Sequence, residues 1–180
     1  MIIAQEKRKQ NIIEYILYMW QVEDLIRASQ LDLNLIDMNI VAKYDKPNEV
    51  KKEIRNWYEN HIEMMIGEGK QTNGHLIYLE NVVNDLQELH IKLLHSEFED
   101  EYQKFYQNAL PAIQELKFRS KNKQIDDMKA SLNGLYGYLM LKLQGKKISE
   151  GTVDGIKSLS NMLALLSDRY KKIETGKEDI

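Results

Sequence analysis

Apolar side chains recur every three or four positions along nearly all of this chain, and that spacing leaves little besides the α-helix open to it. Ile12, Ile16, Met19 and Ile26 form one row, with Ile13, Leu17 and Trp20 beside it, a wide stripe on a helix expected from Ala4 to Ser29. Leu31, Leu33 and Leu35 alternate as a strand would, yet Leu33, Ile36, Ile40 and Tyr44 also suit a helix. With no second strand to pair with and Asp32 as a good N-cap, a short helix is the expected form, ended by Asp45-Lys46-Pro47. A third helix is expected from Asn48, turning Val50, Ile54, Trp57, His61 and Met64 inward until Gly67-Glu68-Gly69 stops it. The turn Gln71-Thr72-Asn73-Gly74 leads to a fourth with Leu76, Leu79, Val83, Leu86, His90 and Leu93.

A fifth helix carries Phe98, Tyr102, Phe105, Ala109, Ile113 and Leu116, and Pro111 predicts a kink or break near Gln107. A sixth carries Ile125, Met128, Leu132, Leu135, Leu139 and Leu143. The last begins near Ser149 or Thr152 with Ile156, Leu159, Leu163, Leu166, Tyr170 and Ile173, and the polar stretch 175–180 is expected to fray. Two Pro and nine Gly in 180 residues are too few to punctuate many short strands. The expected fold is therefore all-α, an antiparallel helical bundle of about six to seven helices in a single domain over 1–180.

Composition narrows the function. The chain has no Cys, which excludes disulfides, thiolate metal sites and a cysteine nucleophile and suits a reducing compartment. A net charge of −3 offers no electrostatic footprint for DNA and little for RNA. In Met1-Ile2-Ile3-Ala4-Gln5-Glu6-Lys7-Arg8-Lys9 the charges follow the apolar residues, the reverse of a secretory signal, and no apolar run approaches the ~20 residues of a membrane span. A cytoplasmic protein away from membranes is expected. Lys7-Arg8-Lys9 reads as a solvated first helical turn.

Few positions invite chemistry. The residues three before His61, His75, His90 and His95 are Tyr58, Thr72, Gln87 and Lys92, so the Glu-x-x-His pairs of di-iron bundles are missing and no metal or cofactor is expected. An antiparallel third and fourth helix would hold His61 and His90 ~15 Å apart, each satisfied by a carboxylate or carbonyl. No Gly-x-Ser-x-Gly elbow or phosphate loop occurs. Gly134 and Gly137 fall inside a helix, where each costs ~1 kcal/mol against Ala, so close helix approach or space for a small molecule should compensate. Glu23, Asp24 and Arg27 fall on the stripe that should be buried, beside the aromatic Tyr15, Tyr18 and Trp20. Buried charges must be paired or line a cavity. Glu23 and Arg27, four apart, could pair with each other; the alternative is a polar pocket with an aromatic wall.

Two resemblances add to this. Arg55-Asn56-Trp57-Tyr58-Glu59-Asn60-His61 resembles the Arg-x4–6-His signature of helical ribonucleases of the HEPN superfamily, which implies Arg55 and His61 as a pair acting across a dimer on an RNA 2′-hydroxyl. Six steps of a regular helix, however, separate the two by ~120° and ~9 Å. The opening from Ile3-Ala4-Gln5 to Ala28, with Lys7-Arg8-Lys9, Asn11-Ile12, Glu14-Tyr15-Ile16-Leu17-Tyr18-Met19-Trp20-Gln21 and Glu23-Asp24-Leu25-Ile26-Arg27, resembles a bacterial domain-of-unknown-function family of about this length. That likeness implies an all-helical bacterial cytosolic protein and brings no activity. The leading expectation is a non-catalytic protein that binds a protein partner or itself, as a homodimer, through Trp20, Tyr15 and the neighbouring charges or an exposed strip of the fifth helix. The alternative is a small-ligand-binding protein or an enzyme using the Glu23–Asp24–Arg27 group.

Overall fold

A computed structural model describes residues 2–120, 122 and 124–177. Among the described residues there are eight α-helices, one short 3-10 turn and no strand: α1 (Ile2–Gln10), α2 (Ile12–Ala28), α3 (Leu33–Asn39), the turn Val41–Lys43, α4 (Asn48–Gly67), α5 (Ile77–His95), α6 (Asp100–Arg119), α7 (Asp127–Leu143) and α8 (Glu150–Glu174). The fold is all-α, as the three-four spacing requires. The chain groups into two compact units, Met1–Lys9 with Glu14–Asn81, and Gln10–Ile13 with Val82–Ile180.

The count exceeds seven because the long first helix is interrupted at Asn11. The Asn11 Oδ1 accepts the Ile13 N–H at 2.9 Å and, within the second unit, the Ser167 hydroxyl at 3.0 Å. A short polar side chain that bonds the backbone two residues ahead competes with the helical ladder and caps a new start. The break relocates Lys7-Arg8-Lys9: expected in a first turn, they occupy the last turn of α1, where the helix dipole favours cations.

In the first unit, Asp32 caps α3 as expected, its Oδ1 accepting the Asn34 N–H at 2.8 Å. The buried face of α4 is Ile54, Tyr58, His61, Ile62 and Met65, so Trp57 and Met64 sit at its edge rather than in it. In the α5 row the expectation holds at every position, Leu76, Leu79, Val83, Leu86, His90 and Leu93 being buried.

In the second unit α6 packs against α7 and α8, and α7 also packs against α8. Phe98 lies outside α6 and is 94% exposed, because the helix begins only at Asp100. Glu99, at the N-cap, is held by the Arg169 guanidinium at 3.0 Å. Pro111 does not break α6. Pro111 and Gln107 are exposed, so water can satisfy the Gln107 carbonyl that loses its donor. Asp126 caps α7 and Ser149 caps α8, each accepting the N–H three residues on. The apolar row of α7 leaves the core toward its end, where Leu143 is 69% exposed. Thr175–Lys177 close α8 through backbone bonds, and positions 178–180 of the tail expected to fray lie outside the described residues.

The two mid-helix glycines of α7 differ. A Cβ on Gly134 would stand 2.5 Å from Leu116 Cδ1 and 3.1 Å from its Cδ2, the signature of close approach by α6; a Cβ on Gly137 would meet nothing within 4 Å. Gly137→Ala should therefore stabilise the chain by up to ~1 kcal/mol, and Gly134→Val should destabilise it. Paired urea melts read both signs, and a Gly137→Ala variant that melts earlier would contradict the open surroundings.

Candidate functional site

The charged residues of α2 are arranged around the connection between α4 and α5. Glu23 has no solvent exposure. Its Oε2 accepts from His75 Nδ1 at 2.6 Å and its Oε1 from the Leu76 N–H at 2.8 Å. The Trp20 indole, 1% exposed, stacks on the His75 ring at 4.1 Å and 13°. Arg27 donates from Nε to the Lys70 carbonyl at 3.2 Å, from one terminal nitrogen to Asp24 at 2.9 Å, and from the other to the Gly74 carbonyl. The pairing expected between Glu23 and Arg27 is thus replaced: Glu23 takes His75 and a backbone donor, and Arg27 takes Asp24 and two backbone carbonyls. Glu23 and Arg27 clamp residues 70–76, and the half-exposed Asp24 braces the Arg27 guanidinium.

A cleft of about 320 Å³ opens elsewhere in the same unit. It is lined by Tyr15 and Met19 of α2, Trp57 and Met64 of α4 and Tyr78 of α5, together with the exposed Gln5 and Arg8 of α1. The Arg8 guanidinium lies 5.8 Å from the centroid of the Tyr15 ring, a cation–π distance. His61 forms part of the lining. Its Nδ1–H donates to the Trp57 carbonyl at 2.7 Å, so Nε2 carries the lone pair and faces the Tyr78 hydroxyl at 3.4 Å. The Tyr78 hydroxyl is also hydrogen-bonded to Tyr15. Burial lowers the His61 pKa below its ordinary value, with the Trp57 carbonyl opposing, and the imidazole is neutral at neutral pH. Burial chiefly, then the neighbouring Tyr15, pushes Tyr78 well above the usual phenol range. The site therefore presents neutral hydrogen-bonding groups among aromatic and thioether walls.

Tyr18 belongs to a different cluster. Burial, with Tyr44 nearby, pushes its pKa up to about 12, and Tyr44 is hydrogen-bonded to Tyr58. A second opening of about 450 Å³ near Tyr44 carries charges of both signs, Glu6, Glu53 and Lys46. Arg55 and His61 are not brought together: Arg55 lies 4.0 Å from Asp37 and 3.9 Å from Glu59, whereas His61 turns to Trp57 and Tyr78.

The second unit holds another polar cluster. Asp127 accepts from the Tyr106 hydroxyl at 2.8 Å and from Lys117 at 2.7 Å, with His90 Nε2 at 3.8 Å. His90 and Lys117, with Tyr106, hold its carboxyl far below the usual range. His90 Nδ1 lies 2.7 Å from the Tyr102 hydroxyl, and both residues are buried. The cluster joins α5, α6 and α7, with the His90 imidazole buried within it. Among the described residues no group of three His, Asp or Glu side chains is placed to hold a metal ion.

Of the expected binding residues, then, Tyr15 lines the cleft, Trp20, Glu23, Asp24 and Arg27 secure the connection beside it, and Tyr18 faces Tyr44. Trp57, Tyr78 and Arg8 were not anticipated as site residues. Trp57 and Arg8 stood out as types, but only a 17-residue step in sequence separates His61 from Tyr78, and no local pattern reveals that pairing.

No helix of the described residues is long and apolar enough to cross a membrane. The model of one protein family, described as a domain of unknown function (DUF4924), matches residues 1–177, nearly the full length that the N-terminal resemblance implied. Comparison with curated proteins and with solved structures gives no match.

Removing the Glu23 carboxylate strands a buried N–H and the His75 imidazole, so Glu23→Ala should cost ~2–3 kcal/mol, and Glu23→Gln, which keeps an oxygen for Leu76, should cost less. Chemical denaturation checks the order; equal stability of Glu23→Ala and wild type would contradict the clamp. His61 gives a pH dependence. Its folded pKa is depressed below the unfolded 6.5, so below that pH the unfolded chain binds a proton that the folded chain resists, and stability falls as pH drops. The stability difference between wild type and His61→Gln, followed from pH 7.5 down to 5, should shift against wild type; a constant difference would contradict a buried neutral imidazole.

Proposed function

Because the chain belongs to DUF4924, a family of domains of unknown function that passes on no activity, we propose from its own geometry that it is a non-catalytic small-molecule-binding protein of the bacterial cytoplasm, with its ligand in the Trp57–Tyr78 cleft. The observation that carries this reading is the meeting of three aromatic rings, two thioethers and a buried, neutral His61 around one cleft of about 320 Å³. Ligand sites are mostly apolar concavities with a few convergent polar groups, from about 300 Å³ upward. Catalysis has less support. A buried phenol held protonated and an imidazole whose Nδ1 is engaged by a backbone carbonyl position a ligand more readily than they activate a nucleophile. The absence of cysteine favours the reducing cytoplasm.

A second reading, association with a protein partner or a second copy of the chain, draws on Phe98, 94% exposed in the connection between α5 and α6. Trp20, first expected to form such a contact, is buried and unsuited to it. A chain that stays monomeric at millimolar concentration would remove self-association.

The ligand-site reading is tested by titrating ¹⁵N-labelled protein with a set of one- and two-ring aromatic fragments. Shifts should concentrate on Tyr15, Trp57, His61 and Tyr78 and be lost in Trp57→Ala, which keeps its fold because Trp57 lies at the edge of the α4 core face. Shifts scattered over both units, or unchanged by Trp57→Ala, would defeat it.

A further inference from the structure

We infer that Asn73 is a site of spontaneous modification, at which the side chain closes onto the Gly74 nitrogen and the isoaspartate that follows loosens the α2 clamp. The chain contains two Asn-Gly dipeptides, Asn73-Gly74 and Asn133-Gly134. A glycine after asparagine leaves the backbone nitrogen least shielded, because it has no Cβ to crowd the approach. The fold treats the two dipeptides differently. Asn133-Gly134 lies inside α7, where Gly134 is buried and its N–H is committed to the helical ladder. Residues 71–74 are exposed and belong to no helix, and among the described residues no backbone–backbone hydrogen bond engages them. Gly74 has a φ of 78°, a conformation that favours glycine, so the turn itself keeps a glycine behind Asn73.

The reaction needs only water. The Gly74 N–H gives its proton to water, the nitrogen attacks Asn73 Cγ, and the new N–Cγ bond closes a five-membered ring. The Cγ–Nδ2 bond then breaks and Nδ2 leaves as ammonia. The Thr72 hydroxyl stands 3.2 Å from Nδ2, placed to relay a proton to it as it departs. Water opens the ring at either carbonyl. Opening at Cγ gives aspartate; opening at the former main-chain carbonyl gives isoaspartate, with the chain rerouted through the side chain. One water is consumed for each ammonia released.

The two products meet the clamp differently. An aspartate keeps the main chain unchanged and places its carboxylate in water near Lys70, whose ammonium lies 3.5 Å from where a Cβ on Gly74 would stand. Isoaspartate adds one carbon to the main chain ahead of Gly74, about 1.5 Å, more than a hydrogen bond tolerates. The Lys70 and Gly74 carbonyls converge on one guanidinium with 71–73 between them, and Glu23 holds the Leu76 N–H just beyond. The lengthened link works against those bonds together.

The test incubates the full chain at pH 8.5 and 37 °C, folded and in urea, and follows both dipeptides by peptide mass spectrometry with electron-based fragmentation to identify isoaspartate. In the folded chain Asn73 should react at least tenfold faster than Asn133; in urea the two should react at similar rates. The isoaspartate-bearing chain should melt at a lower temperature than the unreacted chain, while Asn73→Asp melts with wild type. Asn73→Gln, an exposed change that disfavours ring closure, should hold its melting temperature through the same incubation. Equal rates at the two sites in the folded chain, an unreactive Asn73 under conditions that convert Asn133 in urea, or an isoaspartate chain that melts with wild type would each overturn the inference.

Discussion

A carboxylate withdrawn wholly from water must find donors, and the donors that Glu23 finds organise the first unit. One of its oxygens holds the His75 ring and the other the Leu76 N–H, so the start of α5 is fixed against the middle of α2. The His75 ring, once fixed, gives Trp20 a flat partner to stack on. Arg27, one helical turn on from Glu23, holds the Lys70 and Gly74 carbonyls of the same segment. Burial of these charges would be costly if they were isolated. Here each is saturated, and the arrangement sets where α5 begins and hence where Tyr78 points.

The interruption at Asn11 has an equally direct effect on the cleft. In an uninterrupted helix residues seven apart share a face but stand ~10 Å apart along the axis. Two such pairs meet across the break, Lys7 with Glu14 at 2.9 Å and Arg8 with Tyr15 at 5.8 Å. An exposed ion pair adds little stability by itself. The second pair matters more, since it puts a cation at the edge of an aromatic cleft. Near the other limit of charge density, the Asp127 cluster of the second unit shows what a fully occupied polar network looks like: each of its groups is spent on fastening helices.

The helices were legible because a three-four spacing has one common physical origin, and the α5 row was read without error. On α4 the expected Ile54 and His61 are buried, but Trp57 and Met64 were read one position out: Trp57-Tyr58 and Met64-Met65 are adjacent apolar pairs, periodicity alone leaves the phase open by about one residue there, and packing buries Tyr58 and Met65, with Ile62 beside His61. The break at Asn11 had a local signal, an asparagine able to cap, but it stood inside an apolar pattern strong enough to mask it. At Pro111 the break does not occur, since that outcome depends on whether the freed carbonyl faces water. The partner of Glu23 could not be read at all. His75 lies 52 residues away within a turn, and nothing in a one-dimensional pattern pairs the two. The cleft was hidden for the same reason, being assembled from four helices.

Residues 70–76 run between two helices, the kind of place where chains usually tolerate an inserted epitope tag, a circular-permutation cut or a protease nick. Here the backbone carbonyls of Lys70 and Gly74 and the N–H of Leu76 are all held by one turn of α2. Extra sequence threaded into that stretch would pull those groups away from Arg27 and Glu23 and leave a carboxylate stranded in the interior. The connection thus behaves as part of the core, and engineered fusions are better sited between α7 and α8, where Gly145 to Lys147 are exposed.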